Sequence, residues 1–268
     1  MTDGRPTATL ISPLAAAGRA DEVVQRVRQA IHLGLFVDGE QLPPETEFAA
    51  QLGVSAMTLR EALATLREHG MVETRRGRTG GTFVRRPAAP PVVLLRERLR
   101  GMTTSTLRDL IDEQFAVSGA AAKLAAARTS SASGRRLHTL AQQLAGAASL
   151  GSRIRADSRF HIEVAIASQS ERLTQLEVEL QAQLGELLWL PPEPGGPTPV
   201  SSAPVPGAPV SSGLAAGPLD PVAAAAEHAA IAEAIAAKDG DGARLLAERH
   251  VEQTLQRLTA MRLGLPPT

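Results

Sequence analysis

The chain of 268 residues contains no cysteine and no tyrosine. Without thiols there is no disulfide framework, no Cys-based zinc site and no thiol nucleophile, so a metal site has to be built from histidine and carboxylates. Six aromatics, Phe36, Phe48, Phe83, Phe115, Phe160 and Trp189, are too few for base-stacking platforms or an aromatic ligand box. The core is therefore expected to be aliphatic, rich in alanine and leucine. Lysine is nearly missing too, since Lys123 and Lys238 are the only lysines among 28 cationic residues. Those cations balance 28 acidic residues, so any nucleic-acid binding must rest on a local basic surface rather than on bulk charge. No run approaches the roughly 20 apolar residues of a membrane span. Residues 8–17 faintly imitate a signal peptide, but Asp3 and Pro13 break the pattern. A soluble, cytoplasmic chain without membrane partners is the expectation.

Proline and glycine divide what is present. Ten of the 19 prolines fall between Pro191 and Pro221, in a stretch with almost nothing to bury, which predicts a disordered Pro-rich insertion over 191–220. Residues 1–18 read as a disordered tail, and Pro87 to Pro91 open a linker over 87–104. Between these breaks the fold class is mainly α. Val23, Val27 and Ile31 recur at helical spacing before Gly34, and Pro43-Pro44 with Glu45 and Glu47 open a second helix. Ser55 caps a third, whose Leu59, Leu63 and Leu66 form one apolar stripe. The period then changes to two over 71–74 and 82–84, around a basic, glycine-rich tip. Three helices and a β-hairpin over 19–86 make a winged helix-turn-helix. From 105 to 262 the pattern is an all-α bundle, with helices near 105–128, 133–150, 153–168, 171–189, 221–238 and 240–262, for which Ser170, Asp220 and Asp239 supply caps.

In a winged helix-turn-helix the third helix enters the major groove. Ser55 and Thr58 lie at its N-terminal end, while Arg60 and Arg67 flank the leucine stripe and point away from the core. Arg60 is placed to reach a guanine edge or a phosphate, and Thr58 a phosphate or a thymine methyl. Residues 60–86 hold seven arginines against three glutamates, a local charge of +4 in a neutral chain. The wing glycines permit close approach to the sugar-phosphate chain, with Arg75, Arg76 and Arg78 beside the minor groove. A solvated arginine face or a protein-interaction module is the competing reading. Residues 77–82 lack the lysine of a P-loop, which argues against nucleotide binding.

The stretch LPPETEFAAQLGVSAMTLREALATLREHGMVETRRGRTGGTFV, residues 42–84, resembles the winged-helix domain of GntR-family bacterial transcription regulators. The resemblance implies that Glu45, Ser55, Thr58, Arg60, Arg76 and Gly77 fall at DNA-contact or cap positions. Thr46 and Ala56 stand where the family often has arginine, so the resemblance does not carry over an operator sequence.

Among six histidines, His32, His69 and His138 have no acidic or histidine neighbour at helical spacing and read as ordinary, partly exposed residues. Asp157 and His161 are i and i+4 on one helix and share a face. His228 and His250 lie on two later helices, and four N/O ligands from three helices would suit a divalent cation with open positions for water or a small acid. Spacing alone does not separate such a site from hydrogen-bonded core histidines. ADSRFHIEVAIASQSERL (156–173) and EHAAIAEAIAAKDGDGARLLAERHVEQTL (227–255) resemble the FCD effector domain of the FadR-like branch, which implies Asp157, His161, His228 and His250 as metal ligands. Zinc, nickel and manganese are the candidate ions. Where the family commonly has an effector-binding arginine and a later glutamate, this chain has Gln114 and Ser118, which weakens the expectation of a charged clamp on an acid. Gln114 and Arg153, one turn before Asp157, are the candidate effector contacts.

Together these features predict a dimeric, ligand-responsive regulator, not an enzyme, that binds double-stranded operator DNA and is modulated by a metal and a small organic acid. The alternatives are a metal-dependent hydrolase at the Asp/His site and an interaction module without DNA binding.

Overall fold

The computed structural model describes residues 20–36, 38–77, 80–85, 92–191 and 219–264. The sequence-expected tail over 1–18, most of the 191–220 insertion and the start of the 87–104 linker lie outside the described residues. Helix α1, Ala20–His32, buries Val23, Val27 and Ile31 as their spacing requires. It ends where Gly34 takes a φ of 71°, with Leu35 N–H donating to the Ala30 carbonyl at 2.8 Å. Helix α2, Glu45–Leu52, starts after Pro44 and carries Glu45 and Glu47 in its first turn, where carboxylates favour the helix dipole. Helix α3, Ala56–Glu68, is capped by the Ser55 side chain, which accepts from Thr58 N–H at 3.0 Å. Its buried Leu59, Leu63 and Leu66 pack with α1 and with Phe48, which meets Phe36 edge-on at 6.4 Å. Strand β1, Val72–Arg75, pairs antiparallel with β2, Gly81–Val84, from Val72 opposite Val84 to Arg75 opposite Gly81. This is a winged helix-turn-helix.

The 87–104 stretch, expected as a linker, contains helix α4, Val92–Gly101. Leu95 and Leu99, four apart, are buried in the helical core, so burial rather than propensity orders this segment. The remaining helices are α5 (Thr104–Arg128), α6 (Ser131–Ala145), α7 (Leu150–Ala167), α8 (Glu171–Leu188), α9 (Pro221–Ala236) and α10 (Gly240–Gly264). Helices α5 and α10 run antiparallel, as Lys123 bonds Asp241 at one end and Arg262 donates to the Met102 carbonyl at the other. The caps expected at Ser170, Asp220 and Asp239 all form. No helix among the described residues is long and apolar enough to cross a membrane.

The winged helix is seated on α7 and α8. Ile162 and Val178 belong to the same buried cluster as the α1–α3 core. Polar contacts surround that seat. Arg159 donates to the Gly34 carbonyl at 3.1 Å, and His32 Nδ1 lies 2.6 Å from Glu186 Oε1. Arg98 on α4 donates to the Gln183 carbonyl at 2.7 Å. His32 is thus not an ordinary surface histidine, because its partner stands 154 positions away on α8. Replacing Ile162 by alanine is expected to cost about 2–5 kcal/mol of unfolding free energy in denaturant titration. A loss well under about 1 kcal/mol would mean that the seat is not packed.

Candidate metal centre and nucleic-acid interface

Helix α7 begins with a reciprocal cap in which Ser149 and Ser152 satisfy each other's backbone N–H groups. Two turns further on, it presents Asp157 and His161 inward. Helix α9 adds His228 and α10 adds His250. The four side chains are buried, and one ligand atom of each lies within 4.8 Å of all the others. His228 Nε2 is 3.3 Å from His250 Nε2 and 3.5 Å from Asp157 Oδ1, and His161 Nε2 is 3.9 Å from the same oxygen. Two ligands about 2.0–2.1 Å from one tetrahedral ion stand about 3.4 Å apart, so these separations fit a shared cation. Phe160 stacks on the His228 ring at 4.0 Å and 7° and fixes its plane.

The proton inventory fits as well. Burial pushes the Asp157 carboxyl up to about 6, against the downward pull of His250 and the Trp189 indole. Burial, then His250, pushes His161 down to about 3, and burial lowers His228 well below its ordinary value. At neutral pH these two imidazoles are uncharged, as metal ligands must be. Glu227, not singled out from sequence, reaches His250 Nδ1 at 2.6 Å. A carboxylate there fixes the N–H on Nδ1 and leaves the Nε2 lone pair facing His228. Asp157 Oδ2 and His228 Nδ1 are buried without a hydrogen-bond partner among the described residues. Donor types, spacing and protonation therefore suit a divalent ion.

Gln114 is buried on α5 and donates to Ser118 Oγ at 2.7 Å and to Glu177 Oε1 at 2.8 Å. Glu177 and Gln181 on α8 complete a polar cluster that sequence reasoning missed, because an interior glutamate on an amphipathic helix leaves no local trace. Arg153 is half-buried, and its Nε donates backwards to the Ala147 carbonyl at 3.1 Å rather than toward the cluster.

On the winged helix, Arg60 donates to Glu45 Oε2 at 2.8 Å, with both side chains well exposed. Such a pair is worth at most about 1 kcal/mol, so a phosphate or guanine can replace the carboxylate. Arg67 bonds Thr74 Oγ1 through two nitrogens, at 3.1 and 2.8 Å, and ties α3 to the hairpin. Arg75 lies 4.3 Å over the Phe83 ring and 2.6 Å from Glu73, which also holds Arg85. Arg76 is exposed, and Gly77 has a φ of 117°, a conformation that side chains disfavour. Arg78 lies outside the described residues. Met57, not singled out from sequence, is 71% exposed in the first turn of α3, where an apolar side chain has no folding role.

Two family models match the chain: "Bacterial regulatory proteins, gntR family" over residues 19–84 and "FCD domain" over 109–253. The putative HTH-type transcriptional regulator RmpR of Mycobacterium gastri is 38% identical over 92% of this chain and 82% of its own length. A putative L-lactate dehydrogenase operon regulatory protein of Escherichia coli is 34% identical over 58% of this chain and 61% of its own. The solved structure of E. coli McbR/YncC shares the fold, with a TM-score of 0.50 and 16% identity over 91% of this chain and 99% of that one.

The shifted histidines imply a pH dependence. An unfolded histidine titrates near 6.5, whereas His161 in the metal-free fold titrates near 3. Between these values the unfolded chain binds the extra proton, so the His161 contribution is present above pH 6.5 and is lost as pH falls toward 3. Asp157 acts oppositely: its contribution is present below about 3.8 and is lost as pH rises through about 6. Comparing metal-free wild type with His161→Gln cancels most of what the carboxyls do. Acidification from pH 7 to 5 should cost the variant about 2 kcal/mol less unfolding free energy in urea titrations. Equal losses would contradict the neutral, buried state of His161.

Proposed function

The chain belongs to the gntR family of bacterial regulatory proteins and is a DNA-binding transcription regulator with an FCD domain, and from that premise we propose a metal-dependent, effector-responsive mode of action. In this reading residues 19–86 bind operator DNA, and residues 105–262 form the effector and dimerisation domain of a cytoplasmic homodimer. Two copies of α3 then meet the two halves of a symmetric operator. Arg60 exchanges Glu45 for the DNA, while Ser55, Thr58 and the N-terminal end of α3 approach a phosphate. Arg75, Arg76 and Gly77 follow the backbone beside the wing, with Arg78 as a further contact, and Arg67 braces the helix against the hairpin.

In the helical domain Asp157, His161, His228 and His250 would hold a zinc, nickel or manganese ion, with Glu227 setting the tautomer of His250. When bound, the ion supplies open coordination positions for a small organic acid. Gln114, bonded to Ser118 and Glu177, would be an effector contact, and Arg153 a weaker one that must first leave the Ala147 carbonyl. The observation that carries this reading is the convergence of four buried ligand atoms within 4.8 Å, from helices of which one also seats the winged helix. An acid that binds two arrangements of α7 and α8 unequally would shift the placement of the paired winged helices. The family and the relatives are transcription regulators, not enzymes, and the hydrolase alternative has no such support.

Footprinting on the DNA upstream of the protein's own reading frame, with and without candidate acids, tests both halves of the reading. Failure to bind any upstream DNA at any salt, with the dimer intact, would favour a protein partner instead. Arg60→Ala is expected to weaken operator binding by about 1–3 kcal/mol in equilibrium titrations, and unchanged affinity would remove α3 from the interface. The double variant His161→Ala/His250→Ala should carry no metal by elemental analysis. Full occupancy in that variant would rule out the four-residue site.

A further inference from the structure

Helix α3 buries one face and shows the other to solvent. Leu59, Ala62, Leu63 and Leu66 are buried, whereas Met57, Arg60, Glu61 and Glu68 are exposed. Residues 57, 60, 61, 64 and 68 recur at helical spacing along one stripe, so the outward face begins with Met57. Met57 is 71% exposed, more than any other large apolar side chain among the described residues. The other exposed ones, Val93, Leu94, Phe115, Val222 and Leu245, lie on α4, α5, α9 and α10, away from the winged helix.

The side chains beside Met57 are committed differently. Ser55 Oγ accepts from Thr58 N–H at 3.0 Å and stands 2.8 Å from Thr58 Oγ1, so both hydroxyls are gathered into the cap. Thr58 is half-buried there, which leaves Met57 as the apolar side chain most open to solvent in the first turn of α3. Arg60, one turn on, pairs with Glu45 in solvent.

Residues 60–86 carry a charge of +4, which draws this unit toward phosphates. Met57 contributes nothing to that attraction, and the Glu61 carboxylate on the same face opposes it. Both residue types are suited instead to base edges. In the major groove a carboxylate accepts from cytosine N4, and the one apolar feature on offer is the methyl group at C5 of thymine. We propose that Met57 is a specificity-determining residue of α3 that packs its thioether against a thymine methyl in the operator. The proposal rests on the placement of α3 in the operator given above and goes beyond it by assigning a base to a side chain that makes no hydrogen bond. Methionine is unbranched and polarizable, with three rotatable side-chain bonds, so it can settle against a methyl group at the floor of a groove.

The test uses the full-length protein and DNA duplexes that it enriches from a random-sequence pool. Thymine is replaced by uracil one position at a time, which removes the methyl and leaves every hydrogen-bonding group of the base in place. Loss of one buried methyl contact is expected to weaken wild-type binding about three- to tenfold at the thymine that Met57 meets. Met57→Ala should bind the thymine and uracil forms of that duplex within about twofold of each other, and Met57→Leu should restore the difference. Because the contact carries no charge, Met57→Ala should keep the wild-type slope of log affinity against log salt, and a shallower slope would reveal a phosphate contact instead and overturn the proposal. Indifference of the wild type to uracil at every position, or equal sensitivity in Met57→Ala, also overturns it. If Arg60→Ala still weakens binding in that case, α3 keeps its place in the operator. If no duplex is enriched, or if neither Met57→Ala nor Arg60→Ala changes binding to any duplex, the placement of α3 and the role of Met57 fall together. The uracil scan on the wild type decides the matter even if a variant does not fold.

Discussion

Three imidazoles and a carboxylate converge, all buried, in the interior of the helical domain. Each of these groups would be costly to bury alone and unpaired. The fold meets that constraint partly by keeping His161 and His228 uncharged, partly by stacking Phe160 on His228, and partly by anchoring His250 to Glu227. What stays unmet, Asp157 Oδ2 and His228 Nδ1, marks where a purely protein solution falls short. Much of the helical domain can be understood from this point outward. Helices α7, α9 and α10 must approach closely enough to bring their ligand atoms together. The alanine-rich packing of Ala121, Ala125, Ala165, Ala232 and Ala243 around Phe160 allows that approach.

The same helices face the other way as well. His161 is followed by Ile162 and Glu177 by Val178, and both apolar residues enter the core of the winged helix. On a helix, consecutive residues diverge by about 100°, so one helix can present a polar site on one side and a docking surface on another. A rotation or shift of α7 that improves one side disturbs the other, because close-packed cores do not deform continuously. The polar ring of Arg159, His32, Glu186 and Arg98 would register such a movement. At the far end, the Arg60–Glu45 pair on the winged helix is exposed and therefore weak.

Local signals in the sequence carried most of the architecture. Periodicity, the Ser55, Ser170 and Asp220 caps and the turn at Gly34 locate helices to within a few residues. The expected 133–150 helix is instead Ser131–Ala145, because Gly146 ends it and Ser149 with Ser152 starts the next. The helix inside the linker region was missed, since Leu95 and Leu99 acquire meaning only once α8 provides a surface for them. Asp157 and His161 were legible from their spacing and His228 and His250 as candidates on two later helices, whereas preferring a metal site over hydrogen-bonded core histidines rested on resemblance to a family. Glu177, Gln181, Glu186 and Glu227 were not legible at all. Each is a glutamate or glutamine on an amphipathic helix, and its role comes from a partner on a different helix.

The most direct test of the account is calorimetric unfolding of chelator-treated protein across a zinc titration. If the buried cage takes an ion in the folded state only, stability should rise as RT ln(1 + [Zn]/Kd), about 2.7 kcal/mol at a hundredfold excess over Kd, with a matching upward drift in Tm. A Tm indifferent to zinc, in protein shown to be free of bound metal at the outset, would contradict it.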